Sequence, residues 1–372
     1  MRLGLVIYGS LDTRSGGYLY DRKLVDYLRR QGDHVEIVSL PWRSYPRHLG
    51  DNFSKALLDR LSRLQVDILL QDELNHPSLF RLNRRLRSRT SSPIISIVHH
   101  LRCSEQHPAW LKPFYRAVER AYLHSVDGFI FNSRTTRTVV EQLLGRETAG
   151  VVAWPAGNRL DVRLSPEEII RRAHRPGPLQ IIFVGNVIPR KGLHTLLAAL
   201  ARLPTESWRL TVVGSLTVAP AYVRQIRRRI AGQGLESQVD FSGSVPDETL
   251  AAQLQTAHVL ALPSSYEGFG IVYLEGMGAG LPAIATTAGA AGEIITHAET
   301  GFLIGPGDTA TLANYLHEMH QNRERLAAMS LAAQHRYAAQ PTWEQTTQRI
   351  REYLCQFQTT TASPATWRPK KV

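Results

Sequence analysis

Short apolar runs alternate with longer segments of helical period along nearly the whole chain. In the first 150 residues "LGLVIYG", "HVEIVSL", "VDILLQ", "PIISIVHH", "DGFIFNS" and "GVVAWPAG" read as strands. Between them, "YDRKLVDYLRRQG" sets Leu24, Tyr27 and Leu28 on one helical face and stops at a glycine, and "KALLDRLSRLQ", "RLNRRLRSRTSS" and "FYRAVERAYLHSV" have helical length. Strands separated by helix-length crossovers predict a parallel, doubly wound α/β sheet. Between Arg159 and Pro178 the pattern turns polar, with Pro166, Pro176 and Pro178 around a short charged helix, and this marks a domain boundary. The alternation then restarts with "LQIIFVGN", "WRLTVVGS", "QVDFSGSV", "HVLALPSS" and "PAIATT" as strands, so a second Rossmann-like domain follows. One amphipathic helix, "PTWEQTTQRIREYLCQF", closes the periodic part. The reading is a first domain over 1–165, a second over 166–340, the closing helix over 341–358 and a tail, 359–372, predicted to be disordered.

Composition narrows the class. With 43% hydrophobic and 20% charged residues the chain reads as globular, and no apolar run approaches the roughly 20 residues that a membrane span needs. The expectation is a cytoplasmic protein without signal peptide or anchor. Two distant cysteines, Cys103 and Cys355, offer neither a redox pair nor a metal site. The net charge of +12 points to an anionic partner, and residues 1–150, with 23 Lys and Arg against 15 Asp and Glu, carry most of it.

Ligands of open parallel sheets bind beyond the carboxyl ends of the strands. Three stretches sit at such places. After the first strand, Gly16 and Gly17 allow backbone to approach a ligand ahead of a helix. "FVGNVIPRKGLHTLL" puts Arg190 and Lys191 before a helix start, where cations can neutralise a diphosphate. "HVLALPSSYEGFGIVYLEGMGAG" starts a helix at Gly270 or Ile271, so the free N–H groups of Gly270, Ile271 and Val272 suit an anion. The flanking acids Glu267 and Glu275 then suit hydroxyls, which a sugar and a ribose supply. A hydrolase's carboxylate pair is a rival for the two glutamates; the diphosphate features argue against it.

The segments "GNVIPRKG", "PSSYEGFGIVYLEGMGAGLPAIAT" and "GAAGEIITHAETGFLIGPGD" resemble the family 4 glycosyltransferases, which carry an E-x7-E signature. The resemblance implies the GT-B fold: two Rossmann-like doubly wound domains facing a central cleft, with the C-terminal helix crossing back to the first domain. It implies a retaining transferase that takes a hexose-type sugar from a nucleotide diphosphate sugar, with no metal and no other cofactor. It makes Glu267 the carboxylate near the donor sugar and Glu275 the ribose ligand. The backbone from Gly268 through Phe269 to Val272 then holds sugar and phosphates, Lys191 binds phosphate, and a backbone contact near Val245 meets the base. His99, with His100 beside it, corresponds to the histidine placed near the transferred sugar. One departure stands out: the family commonly has arginine after the glycine of the "VG" strand, and here that residue is Asn186. Arg190 is the candidate for the missing charge, and a catalytically weak or inactive sugar-nucleotide binder is the alternative this departure allows.

The expected acceptor is a glycan or lipid-linked. "RLNRRLRSR" mixes Leu82 and Leu86 with five arginines, and either lies on an anionic membrane or is a solvated helix with its leucines on the sheet; "AYVRQIRRRIAG" reads the same way. Aromatic residues do not interleave with these basic runs, which argues against nucleic acid as partner. A nicotinamide dehydrogenase would need a fingerprint the chain lacks.

Overall fold

The computed structural model describes residues 1–162 and 164–358, and the 359–372 tail lies outside them. Two compact units make up the chain: residues 1–155 with the chain from Trp343 onward, and Ala156–Thr342.

The N-terminal unit is built on β1 (Arg2–Tyr8), β2 (His34–Leu40), β3 (Ile68–Asp72), β4 (Ile94–Val98), β5 (Gly128–Phe131) and β6 (Gly150–Val152). All six are parallel, in the order β2-β1-β3-β4-β5-β6. Every residue of β3, β4 and β5 is buried, as strands with helices on both faces must be. The order reverses between β1 and β3. There the connections to left and right diverge and leave a crevice at the strand ends.

The C-terminal unit repeats the plan with β7 (Leu179–Val184), β8 (Trp208–Val213), β9 (Val239–Gly243), β10 (Val259–Leu262), β11 (Ala283–Thr286) and β12 (Gly301–Ile304). The order is β12-β11-β10-β7-β8-β9, again all parallel, with its reversal between β7 and β10. This unit begins at Ala156, so it takes in residues that the polar reading of the sequence leaves in the first domain. The reason is chemical: Arg159 looks like linker in one dimension, but its guanidinium bonds Glu275 and Asp247 within the C-terminal unit.

The closing helix, Trp343–Cys355, belongs to the N-terminal unit. Arg351 donates from Nε to Asp33 at 2.7 Å, and Thr346 donates to the Trp154 carbonyl at 2.7 Å. The basic stretches settle on the sheets. Leu82 and Leu86 are fully buried, and Tyr222, Val223, Ile226 and Ile230 of the second one are at most 9% exposed, so these apolar side chains are not offered to a bilayer. Arg87 and Arg89 pair with Asp127 and Asp59. Among the described residues no helix is long and apolar enough to cross a membrane.

Candidate functional site

The C-terminal unit gathers its charged residues at its own switch point. Past β7, the turn Pro189–Lys191 carries the two cations. Past β10, the chain runs through Ser264 to Gly270 and enters the helix Ile271–Gly278. Lys191 Nζ donates to Glu267 Oε2 at 2.6 Å, the Ser264 hydroxyl donates to the same oxygen at 3.1 Å, and Arg190 lies 3.9 Å from Oε1 while donating to the Tyr266 carbonyl at 2.9 Å. Burial disfavours the ionised Glu267, but Lys191 and then Arg190 outweigh it and hold the carboxyl down at about 2. Burial also lowers Lys191, against the pull of Glu267. The backbone of Glu267 is fixed as well: its N–H donates to the Ala288 carbonyl at 3.1 Å, and its carbonyl accepts from Ala290 at 3.0 Å.

Gly270 caps the helix in the left-handed region at φ 94°, and a Cβ there would lie 2.3 Å from the ring of Tyr273. That ring is held by its hydroxyl, which donates to the Leu262 carbonyl at 3.1 Å, so only glycine fits the turn. The first helical bond, from Tyr273 N–H to the Gly270 carbonyl at 2.9 Å, leaves the N–H groups of Gly270, Ile271 and Val272 ahead of it without a helical partner. Gly268, Phe269, Gly270 and Ile271 are buried and Val272 half-buried, so these donors sit in a sheltered place. An anion there meets dipole, donors and the Lys191 charge together.

Glu275 stands one turn into the helix, 5% exposed, and does not join the Lys191 cluster. Arg159 Nε donates to its Oε1 at 2.8 Å and another guanidinium nitrogen reaches Asp247, the first residue of the helix Asp247–Thr256. Val245 is half-buried in the loop between β9 and that helix. Arg159 therefore ties the expected ribose ligand to the helix that follows the expected base contact. Sequence reading misses it, because no spacing links position 159 to 275. Asn186 turns its amide oxygen to the Ser215 N–H at 3.4 Å, so it takes part in joining the β7 and β8 ends.

In the N-terminal unit Gly16 and Gly17 are the first two residues of the helix Gly16–Arg30, not the end of a loop, because Ser15 caps it by accepting from Tyr18 N–H at 3.4 Å. Gly17 lies against His99, which follows β4: a Cβ on Gly17 would be 3.1 Å from the ring carbon Cδ2. The adjacent histidines have different surroundings. His99 Nε2 meets the buried Asp21 at 3.2 Å, while His100 Nε2 meets Glu105 at 3.0 Å. Asp72, at the end of β3, completes a group in which Asp21, Asp72 and His99 bring one atom each within 4.8 Å of one another. A second group, Glu73, His76 and Glu119, lies deeper; there Glu119 accepts from the Arg102 and Cys103 N–H groups at 2.5 and 3.0 Å. Nothing in the sequence pattern signals either group, since their members come from different elements.

Known proteins match this arrangement. A family profile described as "Glycosyl transferases group 1" matches residues 165–336, and one described as "Glycosyltransferase Family 4" matches residues 19–161. The chain belongs to the family 4 glycosyltransferases. This family 4 chain is 29% identical over 364 residues to a phosphatidyl-myo-inositol mannosyltransferase of Mycobacterium leprae, covering 91% of the chain and 93% of that relative. It is 28% identical to a GDP-mannose-dependent alpha-(1-6)-phosphatidylinositol monomannoside mannosyltransferase of Mycobacterium tuberculosis, over 65% of the chain and 65% of that protein's length. Among solved structures, sucrose-phosphate synthase from Thermosynechococcus elongatus superposes with a TM-score of 0.82 at 21% identity, over 97% of this chain and 100% of that one. The fold is that of the GT-B glycosyltransferases.

Proposed function

We propose that this family 4 glycosyltransferase moves a hexose-type sugar from a nucleotide diphosphate sugar to an acceptor hydroxyl, retaining the anomeric configuration and needing no metal ion. The observation that carries the reading is the Lys191–Glu267 pair beside the open N–H groups of Gly270, Ile271 and Val272, at the switch point between β7 and β10. A cation and a helix mouth for the diphosphate stand next to a carboxylate that accepts from sugar hydroxyls. Lys191, Arg190 and the helix dipole offer the charge neutralisation that a divalent ion gives elsewhere. Glu275 takes the ribose, and the loop at Val245 the base. In the N-terminal unit His99, packed on Gly17, hydrogen-bonds the transferred sugar.

In the reaction the bond between the anomeric carbon and the diphosphate oxygen breaks, and the acceptor oxygen bonds the same carbon from the same face. The acceptor's proton passes to the departing phosphate oxygen. Lys191 and the N–H groups stabilise the charge that grows on that oxygen. The acceptor is a glycan or lipid-linked. Two relatives named for phosphatidylinositol substrates support the lipid-linked form. So do Trp42, Phe53, Trp110 and Phe114, which remain 54, 67, 78 and 43% exposed in the strongly basic N-terminal unit. Peripheral contact with an anionic membrane then rests on these side chains and not on the basic helices; cosedimentation with anionic liposomes at low salt tests it. A second reading, a sugar-nucleotide binder with little turnover, draws on Asn186, which offers an amide where the family commonly has arginine.

The test is a panel of nucleotide sugars assayed for nucleoside diphosphate release, with Lys191→Ala and Glu267→Gln in parallel. One donor is consumed, EDTA leaves the rate unchanged, NMR of the product shows the retained anomer, and Lys191→Ala slows release by about 10²–10³-fold. A donor that stabilises the protein but releases nothing favours the binder; equal rates in wild type and both variants overturn the site.

A further inference from the structure

Asp21 is a carboxylate that the chemistry above does not use. It projects from the helix Gly16–Arg30, is fully buried, and places Oδ1 3.2 Å from His99 Nε2. Its Oδ2 is buried without a hydrogen-bond partner in the described structure. The His99 ring is packed on further sides: Tyr20 meets it edge-on with centroids 5.3 Å apart and Gly17 lies against Cδ2, while Asn132 fixes the backbone by donating to the His99 carbonyl at 2.7 Å. These contacts favour the ring orientation that faces Asp21. With Nε2 committed to the carboxylate, Nδ1 on the other side of the five-membered ring is the nitrogen left for a ligand.

We propose that Asp21 is a positioning residue that keeps His99 as an imidazolium through the neutral range, so that Nδ1–H is a charged donor to an oxygen of the substrate. The inference rests on the reading that His99 meets the sugar. The groups around the ring agree with it. Asp21 faces it from the helix, Asp72 and Glu73 from the end of β3, and Tyr18 and Tyr20 from the helix start, both phenols held neutral chiefly by burial. Burial alone would lower His99, but Asp21, then Asp72 and Glu73, carry it up to about 9. Burial and the Asp21 charge push Asp72 up to about 7, and burial pushes Glu73 well above the usual carboxylate range. A cationic His99 ring beside Asp21 thus balances buried charge across the 3.2 Å contact. A lone buried carboxylate beside a neutral ring would have no such balance.

Nitrogen-15 NMR of the full chain reads the His99 titration directly, and the wild type needs no variant to decide the first half of the claim. His99 is expected to titrate near 9 in the wild type and to drop to 6.5 or below in the isosteric Asp21→Asn. The alkaline limb of kcat moves down with it: turnover of Asp21→Asn falls by about tenfold or more at pH 8 and recovers toward wild type at pH 6. A wild-type His99 that titrates at its ordinary value, or an Asp21→Asn profile superposable on wild type, overturns the proposal. His99→Asn separates the two failures. If that variant keeps full turnover while Asp21→Asn still shifts the NMR titration, the coupling stands and the catalytic placement of His99 falls.

Discussion

Lys191 and Glu267 satisfy each other before any ligand arrives, and this decides how both behave. Glu267, held at about 2 against an ordinary 4.5, contributes stability that is fully present above pH 4.5 and is lost as the pH falls toward 2. Lys191→Met removes the first of the two cations that hold it down, so acid unfolding of the variant, followed by circular dichroism, begins at higher pH than in wild type. An unchanged acid midpoint would mean that the pair is not formed in solution. Arg159 gives a second prediction of the same kind. Its loss deprives Glu275, which is 5% exposed, of the cation that contacts it among the described residues. Arg159→Ala is expected to cost about 3 kcal/mol in urea unfolding and to weaken nucleoside diphosphate binding measured by calorimetry. Retained stability with full binding would remove Arg159 from the nucleoside end of the site.

The helix Ile271–Gly278 is the element on which the proposed donor site turns, and its start was readable in the sequence because "EGFGIVYLEG" puts a glycine at the cap and apolar residues after it. Gly270→Ala forces a side chain into the left-handed region and against Tyr273. The expected result is a loss of about 2 kcal/mol or more together with weakened nucleotide affinity, seen in parallel thermal and calorimetric titrations. Full affinity in a folded Gly270→Ala protein would show that the anion does not use this helix mouth. Strands, crossovers and the closing helix were legible in the same way, since each announces itself by local period. What was not legible comes from contacts between elements distant in sequence. Arg159 reads as linker because its partners lie at 247 and 275. Asp21 reads as one more polar residue of an amphipathic helix, and only the adjacency of β1, β3 and β4 brings it to His99 and Asp72. The basic segment around Leu82 could be read two ways because its arginines and leucines alternate. Burial of Leu82 and Leu86 on the sheet chooses between them.

Each unit of the protein carries a sheet and a switch point, so a ligand that binds one of them should act on that one first. Scanning calorimetry with a nucleoside diphosphate at about 100 times its Kd should stabilise the unit that binds it by about 2.7 kcal/mol. Lys191→Ala should abolish this shift, and a shift of equal size in the variant would place the ligand elsewhere. The decisive measurement is a crystal structure of the full chain with a non-reactive analogue of the donor consumed. The account predicts the diphosphate within hydrogen-bond distance of Lys191 and of the N–H groups of Ile271 and Val272, Glu267 on sugar hydroxyls, and Glu275 on the ribose. Diphosphate density away from the ends of β7 and β10, with the Lys191–Glu267 pair undisturbed, would contradict it.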